Sequence, residues 1–253
     1  MIRVGRGFEP HPPHSSTALR RSPRVTRVAQ VSDQDEAASR RQGERRLPMT
    51  LAVLAVGGLF LLIPEDFRAW PAAHIGFPVF LLVLLLVLVV GDPGRIDRVN
   101  PWLRNVTGLM IAVITLGTAA SAARLVVGLL NGADFSTPTE LLTIGVIVWT
   151  TNVIAFALWY WHLDSGGPAA RIGRWEASQA AFRFPEEDIP ELLTTGWYPQ
   201  FVDYLALSFN TSTAFGAADV SAIRHWSKLM VITEAAISLT LVALVVARAV
   251  NVL

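Results

Sequence analysis

The chain has no cysteine, a single lysine and little charge of either sign. Without cysteine there is no disulfide frame, no thiolate nucleophile and no Cys-ligated metal. Only 16 % of the 253 residues are charged, against about 25 % in an average soluble domain. The net charge of +1 is too small for a partner held by phosphate charge, so no nucleic acid is expected. No serine–histidine set, phosphate loop or HExxH zinc motif occurs, so neither an enzyme activity nor a cofactor is expected. Lys228 is the only lysine among 21 basic residues. That bias reads as the base composition of a GC-rich bacterium, not as mechanism.

What the chain has instead is apolar length. Hydrophobic residues make up 52 % of it, gathered into windows of about 20 residues, the length that crosses a bilayer core about 30 Å thick. The expected fold is all-α: a polytopic membrane helix bundle with five long transmembrane helices and a short, pore-helix-like sixth segment. Four regions follow. Residues 1–46 form an Arg-rich arm with no apolar period, expected to be disordered and cytoplasmic. Residues 47–161 hold four spans: Leu47–Pro64, His74–Gly91, Asn105–Leu130 and Leu141–Trp161. Residues 162–200 form a polar linker in which Ile172, Trp175, Phe182 and Phe184 mark a possible interfacial helix. Residues 201–253 hold the short segment and a last span. Arg40, Arg41, Arg45 and Arg46 precede the first span, and Arg95, Arg98 and Arg104 follow the second. Both basic groups place one side in the cytoplasm of a cell (inner) membrane.

The most distinctive stretch is Tyr204–Val250, with the lead-in from Phe201. A short apolar piece ends in Asn210, Thr211, Ser212 and Thr213; Gly216 and Asp219 follow, and then a long apolar helix. This order of parts resembles the pore module of tetrameric potassium channels. The resemblance would put Tyr204 and Phe209 on a pore helix, Thr211 and Thr213 before the filter, Phe215 and Gly216 in it and Asp219 after it. The stretch Ala214–Ala218 has one glycine, whereas a filter of stacked carbonyls needs more backbone freedom. Potassium selectivity is therefore not implied. Residues 47–253 as a whole resemble an uncharacterised family of bacterial multi-pass membrane proteins with an Asp-Gly-Gly-Pro-type turn, here Asp164–Pro168. Phe201–Ala217 either crosses fully, as a sixth crossing that returns Arg248 to the basic side, or dips in and out as a re-entrant loop. The sixth crossing is the preferred reading.

Two charges lie inside spans, Arg124 and Glu234. A lone mid-span charge costs about 2.5–3.5 kcal/mol on insertion scales for a basic residue. They are expected to pair with each other or to face an aqueous cavity. Thr150, Thr151 and Asn152 read as interhelical hydrogen-bonding groups. Candidate cavity residues are Asn210, Thr211, Ser212, Thr213, Gly216 and Asp219. His162 and Asp164 read as a helix stop, and Glu186, Glu187, Asp188 and Glu191 as a solvated face. The expected function is ion-channel-like or transport-related, with the lipid bilayer, further copies of the chain and a small inorganic ion as partners. The alternative is a non-conducting structural or regulatory membrane protein that binds a partner or lipid.

Overall fold

The structure, a computed structural model, describes residues 43–64, 75–97, 99–131, 138–174, 179–213 and 219–252. Among them are eight α-helices and two short antiparallel ladders. The all-α expectation holds. Helix α1 is Leu47–Leu62 and α2 is Gly76–Gly91. Helices α3 (Pro101–Leu130) and α4 (Pro138–Leu163) are longer. Two short helices, α5 (Pro168–Arg174) and α6 (Pro190–Thr194), precede α7 (Phe201–Thr213) and α8 (His225–Val252). Three helices, α3, α4 and α8, are long and apolar enough to cross a membrane. Helices α1 and α2 are apolar but 16 residues each, or about 24 Å.

Local chemistry sets the boundaries. Helix α3 starts where the Asn100 side chain accepts from the Trp102 amide, with Pro101 in the first turn. That is a cap at the helix start, with proline where no amide is needed. Helix α3 packs closely on α2: a Cβ at Gly117 would stand 2.8 Å from the Phe77 ring. Helix α4 ends in a 3₁₀ turn, Asp164–Gly166, followed by Gly167 at φ 98°. Only glycine holds that conformation without strain.

Helix α4 is the axis of the bundle and packs against α1, α3, α7 and α8. Its inner residues Tyr160 and Trp161 are fully buried. The outer faces of α1, α2, α3 and α8 are apolar and exposed, with Leu62, Val90, Leu116, Leu229 and Leu239 among them.

Two ladders tie the ends of helices together. Strand β1 (Glu44–Arg45) pairs with β2 (Arg95–Ile96), and β3 (Phe182–Arg183) pairs with β4 (Ser221–Ala222). The first ladder corrects the arm boundary: residues 43–46 belong to the folded end of the bundle, and the rest of the arm lies outside the described residues. The second bears on the path of the segment after residue 200. Helix α7 starts beside the C-terminal end of α4, with Phe201 against Trp161 at 6.0 Å between ring centroids. It runs antiparallel to α4 as far as the Phe209–Trp149 contact at 5.7 Å. By Ser221 the chain is back at the starting end, where the Ile223 amide bonds the Ala181 carbonyl at 2.8 Å. Helix α8 then leaves from that same end, with Trp226 against Phe182 at 6.2 Å. Phe201 and Ser221 therefore lie at one end of the bundle, an arrangement that does not match the preferred sixth crossing. Thirteen helical residues reach about 20 Å, short of a bilayer core.

The linker also differs from the expected interfacial piece. Phe182 and Phe184 are buried in the core, beneath Tyr204. Trp175 lies outside the described residues.

Candidate functional site

Helix α8 is mostly exposed, yet Ser227, Glu234, Ser238, Leu241 and Val245 are buried. These positions recur every three, four or seven residues, one stripe of a helix. The stripe faces α4 and α7, and Glu234 lies at its centre with no exposed surface.

Three hydroxyls meet the Glu234 carboxyl. Tyr160 of α4 and Ser208 of α7 make very short hydrogen bonds to it, and Ser212 of α7 donates at 2.9 Å. A chain of donors extends behind Ser212. Ser238 donates to Ser212 at 3.0 Å, and Asn152 donates to Ser238 at 3.2 Å. Among the described residues no basic group pairs with Glu234. A buried carboxylate without a counter-charge is costly, so it must be richly hydrogen-bonded or neutral.

Counting protons shows that the site supports both states. A serine hydroxyl has one proton and two acceptor lone pairs. The Ser208 oxygen lies near Glu234 and also 2.7 Å from the Val153 carbonyl. With Glu234 ionised, Ser208, Ser212 and Tyr160 all donate to it. With Glu234 protonated, the carboxyl donates to Ser208, and Ser208 turns its own proton to Val153. Glu234 keeps all three hydroxyl partners in either state, and only the Ser208–Val153 bond is given up when the carboxyl is ionised. Rotation of one hydroxyl accommodates gain or loss of a proton.

A second polar cluster closes the end of the bundle. Asp164 is fully buried. It accepts from the Tyr204 hydroxyl at 2.6 Å and from the Ala181 amide at 2.6 Å. Arg171 is also fully buried. It donates to the carbonyls of Trp161 and Asp164 at 2.8 and 3.0 Å and lies 5.1 Å over the Tyr204 ring. Glu44 approaches Arg171 at 3.8 Å and accepts from Trp161 Nε1 at 2.8 Å and the Phe201 amide at 2.5 Å. Burial pushes the Glu44 carboxyl above its ordinary range, against the pull of Arg171 and its two N–H donors. Phe182 separates the clusters, with its ring against both Tyr160 and Tyr204.

The candidate residues divide clearly. Ser212 and Glu234 come together. Asn210 is exposed, Thr211 and Thr213 are half-buried, and Asp219 is exposed. The Thr213 hydroxyl bonds the Asn210 carbonyl of its own helix. Gly216 lies outside the described residues. Arg124 is exposed and is not a partner of Glu234, so the expected ion pair is replaced by hydroxyls. Asn152 does bridge helices. His162 is buried and faces Gly108, whose added Cβ would stand 3.2 Å from Nε2.

Sequence reasoning missed Tyr160, Ser208 and Ser238. The signal was helical spacing: Ser208 and Ser212 are four apart, as are Glu234 and Ser238, and Asn152 and Tyr160 are eight apart. Each pair shares one helix face.

No protein family, curated protein or solved structure matches the chain.

Proposed function

We propose that the chain is an integral membrane protein that moves protons or a small inorganic cation through a site centred on Glu234. In this reading α1, α2, α3, α4 and α8 each cross the bilayer and α7 forms a re-entrant hairpin. Large apolar side chains stand exposed along these helices, as on surfaces that meet a membrane. Helices α1 and α2 are accommodated by local thinning or flanking residues, at a modest cost per ångström of mismatch.

The observation that carries the reading is the buried carboxyl itself. It stands beside the proposed re-entrant hairpin, held by hydroxyls alone, with all three as partners in both charge states. An intramembrane acid of this kind marks an ion or proton path. One chain supplies one hairpin, so a pore would form between several copies. The exposed Asn210 and half-buried Thr211 and Thr213 are the polar groups a neighbouring copy would meet.

The test is flux into proteoliposomes holding a pH-sensitive dye, driven by a potassium diffusion potential. We expect protein-dependent acidification that falls to the rate of empty vesicles in Glu234→Gln, with the elution profile unchanged. Equal rates in the two proteins, or none above empty vesicles, refute the proposal. A second reading, a non-conducting scaffold, draws on the same closure: the network also locks α4, α7 and α8 together. In that case Glu234→Gln alters melting and nothing else.

A further inference from the structure

At the end of the bundle where α1 and α3 begin and α2 and α4 end lies a cleft of about 210 Å³, partly open to the outside. One wall is apolar, formed by Leu88, Val99, Leu103 and Trp161, and the polar lining includes Arg46, Asp92, Arg104 and His162. Its charges do not cancel. Arg46 spends Nη2 on Asp92 at 3.1 Å. Arg46 is 6 % exposed, and its Nε has no partner among the described residues. A buried guanidinium N–H without an acceptor is destabilising. Arg104 adds a full positive charge and forms no ion pair with an acid among the described residues. Beside the cleft, Arg45 and Arg95 stand directly opposite across the β1–β2 ladder, a like-charge pairing that costs energy without an anion nearby. The thirty-residue helix α3 begins in the cleft wall and adds the positive end of its dipole. Val99 and Trp102, at 74 % and 59 % exposure, continue the apolar wall onto the outer face.

We propose that this cleft binds a phosphate oxyanion against Arg46 and Arg104, as carried by the head group of an anionic phospholipid whose chains lie along the apolar wall. The phosphate would sit against the Arg46 guanidinium in the cleft wall, and Arg104 would close over the group from the exposed side. This inference is independent of Glu234 and of any transport activity.

Melting of the full chain in a neutral detergent, followed by tryptophan fluorescence, tests it with three additives: phosphatidylglycerol, phosphatidylcholine and inorganic phosphate. Arg104→Gln removes a partner on the exposed rim and is not expected to affect folding. Arg183→Gln removes one positive charge away from the cleft and controls for net charge. The expected result is a rise in melting temperature with phosphatidylglycerol, absent with phosphatidylcholine, lost in Arg104→Gln and kept in Arg183→Gln. A rise with inorganic phosphate that also needs Arg104 supports the oxyanion site and assigns it to a free phosphate. No rise with either phosphate source, or equal rises in Arg104→Gln and the parent protein, overturns it.

Discussion

At the scale of single residues, the buried acids behave differently because their partners differ. Glu234 meets only hydroxyls, so an amide of the same shape can replace it. Gln at 234 still accepts from Tyr160 and donates to Ser208, with the Ser212–Ser238–Asn152 chain reversed. Ala at 234 leaves three buried hydroxyls without that partner. We expect Glu234→Gln to cost under about 1 kcal/mol and Glu234→Ala about 2–4 kcal/mol, read as melting in detergent. Similar losses in the two variants would remove the hydroxyl network from the account. Glu44 has a different pH signature. Burial holds its folded carboxyl above the ordinary value, so the folded chain takes up that proton before the unfolded chain does. Its contribution to stability is therefore full below the unfolded pKa of about 4.5 and is lost as pH rises through the folded value. Glu44→Gln should flatten this part of the stability-versus-pH curve. A parent and variant with parallel curves above pH 4.5 would exclude the effect. The sequence order was a poor guide at this scale for a geometric reason. Asn210, Thr211, Ser212 and Thr213 are contiguous, but a helix turns about 100° per residue. Only Ser212 of the four can therefore face Glu234.

At the scale of elements, the long helices were legible because each is one apolar run; α3 and α4 exceed the expected spans mainly by their polar first turns. The end of the bundle was not legible, since it rests on contacts between residues distant in the chain. Glu44 meets Phe201, and Phe182 pairs with Ala222. No local pattern encodes those distances. The exception is the Asp164–Pro168 turn, whose Gly-Gly-Pro ending marked a helix stop. Its function is larger than a stop: it aims Asp164 at Tyr204 and Ala181 and sets α5 so that Arg171 is buried. Gly167 has φ 98°, and an added Cβ would stand 3.1 Å from the His162 carbonyl. Gly167→Ala should therefore cost about 1–3 kcal/mol of stability, although it removes no hydrogen bond. Melting of this variant within a fraction of a degree of the parent would show that the turn relaxes freely.

At the scale of the whole molecule, the decisive feature is that α7 and α8 both start where α4 ends. The β3–β4 ladder fixes this, since it joins the chain before α7 to the chain after it. A full sixth crossing would put Gln200 and Ser221 on opposite sides of a membrane; the ladder holds them at the same end of the bundle. Both are exposed, as is Thr139 at the opposite end of α4. The chain has no cysteine, so single cysteines can be introduced without background labelling. A membrane-impermeant maleimide should modify Gln200→Cys and Ser221→Cys from one side and Thr139→Cys from the other. The shared side is expected to be cytoplasmic, because Arg45, Arg46, Arg95 and Arg104 gather at that end and basic residues are retained inside. Labelling of positions 200 and 221 from opposite sides would break the re-entrant hairpin and, with it, the placement of Ser208 and Ser212 around Glu234. Labelling from one side that proves to be external would keep the hairpin and reverse only its orientation, turning its entry to the face from which channel pore loops descend.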